Sequence, residues 1–580
     1  MKEKSKRPPE LNLLRACVLI VIAPLVVRGT SCGQDFDFHL QSWIEAARQW
    51  RQGVIYPHWV ASANYGAGEP RFVFYPPLSW TLGAFLGTIF PAWTWIPIAF
   101  TVICVLAMGI SFYKMAYEWM PPHSAEIAAC LYATTPYIFF VIYERSALAE
   151  LLAAVWLPTL VLYALRPNRT SAQTRWTSQF QFAPQLALIV AALWLTNAPA
   201  AVMGSYMLAI IVTVAALSQR SWTLIIRAAT AMALGVGLAA IYIIPAIYEQ
   251  RWVQIARAIQ PGMRIKDSFL FEHTGMVYHD QVLRTASWLA VILVIATAIA
   301  AVLFWRTRKS QLLFKPLAAV AILITFLLFP FSKFLWNTAP ELRFVQFPWR
   351  WLLVLGLIFA AFAGLALQDA IPSRRGKILH AAAVLALAVI FCAHAWRHFW
   401  LPCDEEDNVD AQIATLDNQG FAGTDEYTPS GVDNGDIQQH LPPIRVLTTP
   451  DGDEADSSIE QNPEWNPNMD DLIPAIIQFR RVDAKHITAE IQSRQPGYAV
   501  LRLLDYPAWQ VRVNNAHALR IFHRDDKLIT VPIPAGTSTI DVEYVTTPDI
   551  RAARIVSLAS LIVLSALWFT VAAKSRRDRV

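Results

Sequence analysis

The chain has 580 residues, of which 55% are hydrophobic and only 16% are charged. A soluble domain has about 25% charged residues, so this composition excludes an ordinary soluble protein and is typical of a membrane protein. The net charge of +5 does not indicate a nucleic-acid partner, because the basic residues stand in short loops between apolar segments, where they report membrane topology.

Apolar segments long enough to cross a hydrocarbon core of about 30 Å recur along most of the chain. Both ends of the chain are basic and are predicted to be cytoplasmic, which requires an even number of crossings. One of the candidates is therefore expected to be re-entrant or broken, and the region 124–165 is favoured because Pro136, Glu144, Arg145 and Glu150 interrupt it. The candidate spans are 11–29, 74–90, 95–117, 124–142, 146–165, 183–196, 198–218, 223–248, 285–306, 312–332, 345–368, 377–400 and 551–572.

The first span is predicted to remain as an uncleaved anchor, because the sequence after it is a poor signal-peptide cleavage site. The outer loop 30–73 follows, and "GQDFDFHL" places Asp35, Asp37 and His39 at the outer mouth of that span. Negative charge is favourable at the N-terminus of a helix, so the two aspartates could simply stabilise the start of the next helix. They could instead supply a general base or a ligand for a divalent cation such as Mg²⁺ or Mn²⁺.

The segment 401–550 has a different composition from the rest of the chain. It begins with an acidic stretch rich in Pro, Gly and Asn, which is too polar to form a core by itself. Alternating runs such as "HITAEIQ", "YAVLRLL" and "STIDVEYV" follow, separated by turn residues. This pattern predicts a β-sandwich outside the membrane.

The predicted architecture is thus a polytopic α-helical membrane protein of about 12–13 helices with an extracytoplasmic β-sandwich. Residues 1–400 are expected to form the transmembrane domain, 401–550 the linker and β-sandwich, and 551–580 a final helix with a basic tail. The expected location is a bacterial inner membrane. Cys32 and Cys403 alone are expected on the oxidising face, and a bridge between them stays open because nothing in the sequence fixes their distance.

Several motifs together resemble a known family. They are "GQDFDFHL", which contains a Gly-x-Asp-x-x-Phe-His pattern, and "YGAGEPRFVFYPPL" (65–78), "YERSALAELL" (143–152), "QFPWRWL" (346–352) and "DEYTP" (425–429). They resemble the bacterial multi-spanning proteins known as 6-pyruvoyl-tetrahydropterin synthase-related membrane domains, whose architecture is similar to that of the GT-C glycosyltransferases. The sequence contains no histidine cluster for the zinc of a soluble pterin synthase.

The resemblance implies an enzyme that transfers a sugar from a polyprenyl-phosphate donor to a glycan, lipid or protein acceptor outside the cell membrane. On that pattern Asp35 is the catalytic carboxylate, and Asp37 is an additional carboxylate that could share catalysis or a metal ion. Arginine binds phosphate through two parallel hydrogen bonds. Arg145, Arg343 and Arg350 are therefore candidates to bind the phosphate of the sugar donor. The other predicted substrate-binding residues are His39, Glu144, Glu150, Gln346, Glu426 and Tyr427.

Other interpretations of these residues remain open at this stage. Glu144, Arg145 and Glu150 could form a neutral network inside a helix bundle, although ionisable groups at membrane depth are costly and usually functional. The residues around Arg350 could belong to an interfacial aromatic belt. The whole protein could also be a non-catalytic transporter or assembly factor for lipid-linked glycans.

Overall fold

The computed structural model describes residues 10–166, 183–308, 312–368, 374–454, 460–518, 520 and 524–577. The topology prediction depends in part on basic residues that lie outside this described part, namely Lys2, Lys4, Lys6, Arg7, Arg169, Arg175, Lys309 and Arg579. The described chain is mostly helical up to residue 398, carries eight strands between 444 and 544, and returns to a long helix at its C-terminal end.

Twenty helices are named in chain order. They are α1 (Asn12–Arg28), α2 (Phe36–Arg51), α3 (Arg71–Phe74), α4 (Pro77–Ile89), α5 (Ile96–Ala116), α6 (Pro122–Ala133), α7 (Pro136–Tyr143), α8 (Leu148–Ala153), α9 (Trp156–Leu165), α10 (Ala183–Thr196), α11 (Ala198–Gln219), α12 (Trp222–Leu238), α13 (Ala240–Glu249), α14 (Val277–Arg308), α15 (Phe314–Leu327), α16 (Lys333–Thr338), α17 (Leu352–Leu367), α18 (Arg374–His398), α19 (Val409–Asp417) and α20 (Pro548–Arg577).

Within the described residues, eight helical segments are long and apolar enough to span a membrane, or up to ten if each of two bent pairs counts as one span. This confirms the helical membrane architecture, with fewer full-length spans than the sequence predicts. The predicted spans 74–90 and 183–196 correspond to α4 and α10, which have 13 and 14 residues. At 1.5 Å per residue such helices are too short to cross the hydrocarbon core alone.

In the region 124–165, where the sequence predicts a re-entrant or broken span, four short helices, α6 to α9, form two segments, Pro122–Tyr143 and Leu148–Leu165, each long and apolar enough to span a membrane. Pro136 begins α7 because it has no N–H to give to a preceding turn. The sharper bends lie elsewhere. Helices α12 and α13 meet at 69°, and α15 meets the segment Pro330–Thr338 at 102°.

The β domain consists of two antiparallel sheets, which confirms the predicted sandwich. One sheet has the order β1-β4-β7 and the other β2-β3-β8-β5-β6. Along β3 the interior positions Ile487, Ala489 and Ile491 are buried, because alternate side chains of a strand face the same side. The strands are β1 (Ile444–Leu447), β2 (Ala475–Asp483), β3 (His486–Ser493), β4 (Gly497–Leu504), β5 (Trp509–Val513), β6 (Ala516–His517), β7 (Leu528–Ile533) and β8 (Gly536–Tyr544).

The outer loop between α2 and α4 contributes to the core of the β domain. Trp59 is 2% exposed and packs edge-on against Trp509 of β5, with ring centroids 5.5 Å apart. The backbone N–H of Leu504 donates to the carbonyl of Ala67 at 3.0 Å. The buried aromatic contact and the backbone hydrogen bond together attach the β domain to the loop that carries the predicted site.

Cys32 and Cys403 are joined by a disulfide, with Cα atoms 4.9 Å apart. The bridge links the chain just after α1 to the chain just after α18, which the sequence left open. Cys17, Cys104, Cys130 and Cys392 are free.

We expect a maleimide reagent to modify four cysteines of the oxidised, fully denatured protein and six after reduction, measured as intact mass. A Cys32→Ser variant is the control, because it should show five reactive thiols before and after reduction. Modification of all six cysteines without reductant would show that the bridge does not form.

Candidate functional site

The start of the outer loop lies along the break between α7 and α8. The backbone N–H of Gly33 donates to Ser146 Oγ at 3.0 Å, and the N–H of Asp35 donates to the carbonyl of Arg145 at 2.9 Å. A broken helix leaves backbone groups without partners within the helix, and these must be satisfied by other parts of the protein. The loop therefore docks where the helix is interrupted.

Gly33 is needed for this close approach. A Cβ atom at position 33 would lie 2.6 Å from the carbonyl oxygen of Glu144 and 2.8 Å from the carbonyl carbon of Arg145. Both contacts are with backbone, so they cannot be relieved by rotating a side chain. The glycine of the Gly-x-Asp pattern thus allows the aspartate two residues later to reach Arg145.

Arg145 is the centre of the candidate site. Its Nη1 donates to Glu150 Oε2 at 2.5 Å, and its Nη2 lies 3.5 Å from Asp35 Oδ2. The guanidinium also lies 4.9 Å from the centroid of the Trp349 ring. The Arg145 and Glu150 side chains are 2% and 4% exposed, whereas that of Asp35 is 42% exposed. Asp35 is therefore the member of this group that a solvent-borne molecule can reach.

Glu150 connects Arg145 to a second arginine. Tyr137 Oη donates to Glu150 Oε1 at 2.6 Å, and Arg350 Nε lies 3.7 Å from Glu150 Oε2. Arg350 Nη1 also donates to Gln346 Oε1 at 3.0 Å. The predicted residues Asp35, Arg145, Glu150, Arg350 and Gln346 are thus brought together in one network, which we call the Arg145 cluster.

His39 lies one turn into α2 and is 2% exposed. Its Nε2 accepts the backbone N–H of Leu148, the first residue of α8, at 3.1 Å. Burial lowers the pKa of His39 from 6.5 to about 4, so the ring is neutral at pH 7. Since Nε2 is an acceptor, the proton is on Nδ1.

Three buried nitrogen atoms around this site lack a hydrogen-bond partner among the described residues. They are Nδ1 of His39, Nε of Arg145 and Nε of Arg350. Leaving a buried donor without an acceptor costs about 1–3 kcal/mol. Such donors are suited to acceptor oxygens supplied by a ligand, and phosphate oxygens are strong acceptors.

Asp35 and Asp37 have different surroundings. Asp35 faces Arg145, whereas Asp37 is exposed and its Oδ1 accepts the N–H of Phe38. The pKa of Asp407 is raised, first by burial and then by the negative charges of neighbours that include Asp37. Asp37 therefore lies beside acidic residues of the segment after α18 and not in the Arg145 cluster.

Glu144 lies in the break itself, between the spanning segments Pro122–Tyr143 and Leu148–Leu165. It is 5% exposed, and burial raises its pKa from 4.5 to about 7. Its charge also acts on Tyr278, together with that of Asp35. At neutral pH this carboxyl is therefore close to its titration midpoint.

Arg343, in contrast, is exposed and lies over its neighbour Phe344 at 4.9 Å. No contact among the described residues joins its side chain to the Arg145 cluster. This position does not support the prediction that Arg343 binds the sugar donor.

The 425–429 motif forms part of the site's surroundings. Tyr427 stacks on Phe74 with ring centroids 5.7 Å apart and lies 6.3 Å from Phe38. Burial raises the pKa of Glu426, which lies within electrostatic range of Glu69 and Arg71. The polar segment after α18 thus packs on the outer loop.

The sequence did not predict the ion pair of the outer loop to which the polar segment after α18 binds. Arg71 Nε donates to Glu69 Oε1 at 2.6 Å, and both side chains are at most 2% exposed. Thr424 connects to both residues, since Arg71 Nη2 donates to its Oγ1 and its own N–H donates to Glu69 Oε2. Glu69 and Arg71 both belong to the "YGAGEPRFVFYPPL" motif, and two opposite charges in this apolar motif are the sequence feature that could have predicted the pair.

The described carboxylates do not form a ready-made site for a divalent cation. Among the described residues, no group of three or more His, Cys, Asp or Glu side chains could hold a metal ion. Asp35 faces a guanidinium, and Asp37 faces away from it toward other carboxylates. The metal site at Asp35 and Asp37 therefore stays a sequence prediction, and no chemical step below depends on a metal.

No protein-family model matches the sequence, and no curated protein matches it. Three solved structures with a similar arrangement are the oligosaccharyltransferase of Archaeoglobus fulgidus in complex with Zn and sulfate, the mycobacterial arabinofuranosyltransferase AftD, and the arabinosyltransferase EmbB of Mycobacterium smegmatis. Their sequence identities are 15%, 11% and 12%, and their TM-scores are 0.43, 0.45 and 0.40.

These matches cover 68%, 94% and 94% of this chain, which spans 54%, 58% and 64% of those longer proteins. All three neighbours are named as enzymes that transfer sugars. TM-scores below 0.5 at such identities are too low to assign a function. The resemblance to pterin-synthase-related membrane proteins stays a prediction.

We expect the burial of neutral His39 to make stability depend on pH. Its folded pKa of about 4 lies below the unfolded value of 6.5, so its contribution is complete above pH 6.5 and is lost as pH falls toward 4. Over that window the wild-type protein should lose up to about 3 kcal/mol more than His39→Gln, which cannot titrate. Thermal unfolding in detergent at several pH values measures this difference. Parallel pH curves for the two proteins would contradict it.

Proposed function

We propose that this protein is a membrane glycosyltransferase that transfers a sugar from a polyprenyl-phosphate donor to an acceptor outside the cytoplasm. The observation that carries the proposal is the pairing of a half-exposed carboxylate, Asp35, with a buried guanidinium, Arg145. A base that can be reached by solvent thus lies next to a fixed positive charge.

Asp35 is the proposed general base. Its carboxylate accepts the proton of the acceptor hydroxyl, and the acceptor oxygen forms a bond to the anomeric carbon of the sugar. The bond between that carbon and the phosphate oxygen breaks, and its electron pair leaves with the lipid phosphate. A positioned base of this kind contributes typically 10²–10⁴-fold to a rate.

Arg145 and Arg350 are proposed to stabilise the leaving phosphate. Each keeps a buried Nε donor that no described residue accepts, and guanidinium groups bind phosphate oxygens strongly. Glu150 lies between them and holds both in place. Because these donors are fixed before the reaction, little reorganisation is needed as negative charge develops.

Glu144, His39 and Tyr427 are proposed to contact the sugar or the acceptor. His39 offers the Nδ1 donor, and Tyr427 adds an aromatic surface beside Phe38. Gln346 and Glu426 are proposed to position these groups, Gln346 by accepting from Arg350. Residues 1–400 would form the catalytic membrane domain, and residues 401–550 would cover it from outside.

Asp35→Asn keeps the side-chain shape and removes the base, so we expect transfer to fall by roughly 10²–10⁴-fold while donor binding is retained. The assay measures transfer from a polyprenyl-phosphate sugar in membranes, with cell-envelope glycan analysis to identify the sugar. Asp417→Asn is the matched control, because Asp417 is a 59% exposed carboxylate paired with Arg48 on the outer layer.

Asp37→Asn separates the two carboxylates of the motif, and we expect a much smaller loss than for Asp35→Asn. A correctly inserted Asp35→Asn protein with near-normal transfer would exclude Asp35 as the base. If Asp37→Asn were equally active, a transporter or an assembly factor for lipid-linked glycans would replace the transferase.

The proposal also requires the β domain to be extracytoplasmic and both termini to be cytoplasmic. Met469 is 74% exposed in the β domain, so a cysteine placed there should react with a membrane-impermeant maleimide in cells whose outer barrier is permeabilised. A cysteine introduced near the C-terminus should react only after lysis. The reverse pattern of labelling would invert the topology and contradict the proposed function.

A further inference from the structure

A groove between α1 and α18 lies apart from the Arg145 cluster. Its lower part is a cavity of about 740 Å³ lined by small and apolar side chains, among them Ile20, Ala23, Val389 and Ala393. An adjoining cavity of about 680 Å³ continues toward the chain after α18, and Cys403 and Asn408 contribute to its lining. None of the residues proposed above for transfer lines either cavity.

Two arginines lie where the two cavities meet. Arg28 and Arg397 line both cavities, and so does Trp396. The guanidinium of Arg28 lies 4.1 Å from the centroid of the Trp396 ring and 6.0 Å from that of Trp400. In the part of the chain that the structure describes, no carboxylate forms a salt bridge with either arginine, although Asp410 contributes to the lining of the second cavity.

The position of these arginines is unusual for a membrane protein. Each lies in the last turn of its helix, and the Cys32–Cys403 bridge follows both helices. Disulfides form in oxidising compartments, so this end of the groove is expected on the outer face. Lys and Arg are normally concentrated on the cytoplasmic side, so two exposed arginines beside an apolar groove, with no salt bridge to the described carboxylates, form a candidate site for an anionic ligand.

We propose that this groove binds an anionic phospholipid of the outer leaflet. The phosphate of the headgroup pairs with Arg28 and Arg397, the tryptophans lie at the level of the headgroup, and an acyl chain occupies the apolar part between the helices. This ligand is complementary to the groove in charge, polarity and size. Its phosphate is negative where the two arginines are positive, and tryptophan rings are common at the level of the headgroups. The cavity volume falls within the usual range of ligand pockets of about 300–1,000 Å³.

A bilayer phospholipid fits this groove better than the other sources of phosphate. A free phosphate ion would leave the apolar cavity without an occupant, and the groove shares no residue with the proposed donor site. Exposed apolar residues of α18, including Val389 and Ile390, show that the helix presents a lipid-facing surface. A lipid can therefore enter the groove sideways from the bilayer.

The test is native mass spectrometry of the full-length protein in detergent, titrated with phosphatidylglycerol or with zwitterionic phosphatidylcholine. We expect preferential binding of phosphatidylglycerol. The double variant Arg28→Gln and Arg397→Gln should weaken it about twenty-five-fold, since each basic residue near an anionic lipid contributes about fivefold. Arg51→Gln, at the exposed end of α2, is the matched control and should not change the affinity.

Ala393→Trp fills the apolar part of the groove and keeps both arginines, so it tests the cavity separately. We expect this variant also to lose selective phosphatidylglycerol binding, with thermal unfolding as a check that it folds. Unchanged binding in Ala393→Trp would show surface attraction to the charges alone and overturn the groove. Equal binding of both phospholipids, or displacement of phosphatidylglycerol by stoichiometric polyprenyl phosphate in a manner that depends on Arg28 and Arg397, would overturn the assigned ligand.

Discussion

A buried positive charge joins the break between α7 and α8 to the loop that follows α1. Arg145 is only 2% exposed, and a guanidinium removed from water must be paired and hydrogen-bonded. Glu150 supplies one partner from the next helix, Asp35 supplies a second from the outer loop, and Trp349 covers the face of the group. Three separate parts of the chain are therefore positioned by one side chain.

The same region depends on an interruption of regular structure. A continuous helix from 136 to 153 would satisfy its own backbone and leave no place for the loop to dock. The break exposes the N–H of Leu148 to His39 and the carbonyl of Arg145 to Asp35. Irregular backbone beside membrane-spanning helices is stable only where other protein groups satisfy its hydrogen bonds. The interruption thus creates both the charge cluster and the means of attaching the loop to it.

The architecture could be predicted from composition and periodicity, because long apolar segments and alternating strands have few other solutions. The two-residue strand β6 and the four buried residues of β1 carry no alternation and were missed. At the site, the motifs contain all five members of the Arg145 cluster. They did not identify the Glu69–Arg71 pair, whose partner Thr424 is more than 350 residues away, since spatial neighbours at such separation leave no local pattern.

The covalent link between Cys32 and Cys403 spans 371 residues of sequence. During biosynthesis the first cysteine leaves the ribosome long before the second, so it must stay unpaired while most of the helices are inserted. The segment that follows Cys403 also supplies Thr424 and Tyr427, so these contacts of the outer loop can form only after that segment has been synthesised. An unfinished chain that ends before residue 424 therefore lacks the segment that packs on Glu69, Arg71 and Phe74 of the outer loop.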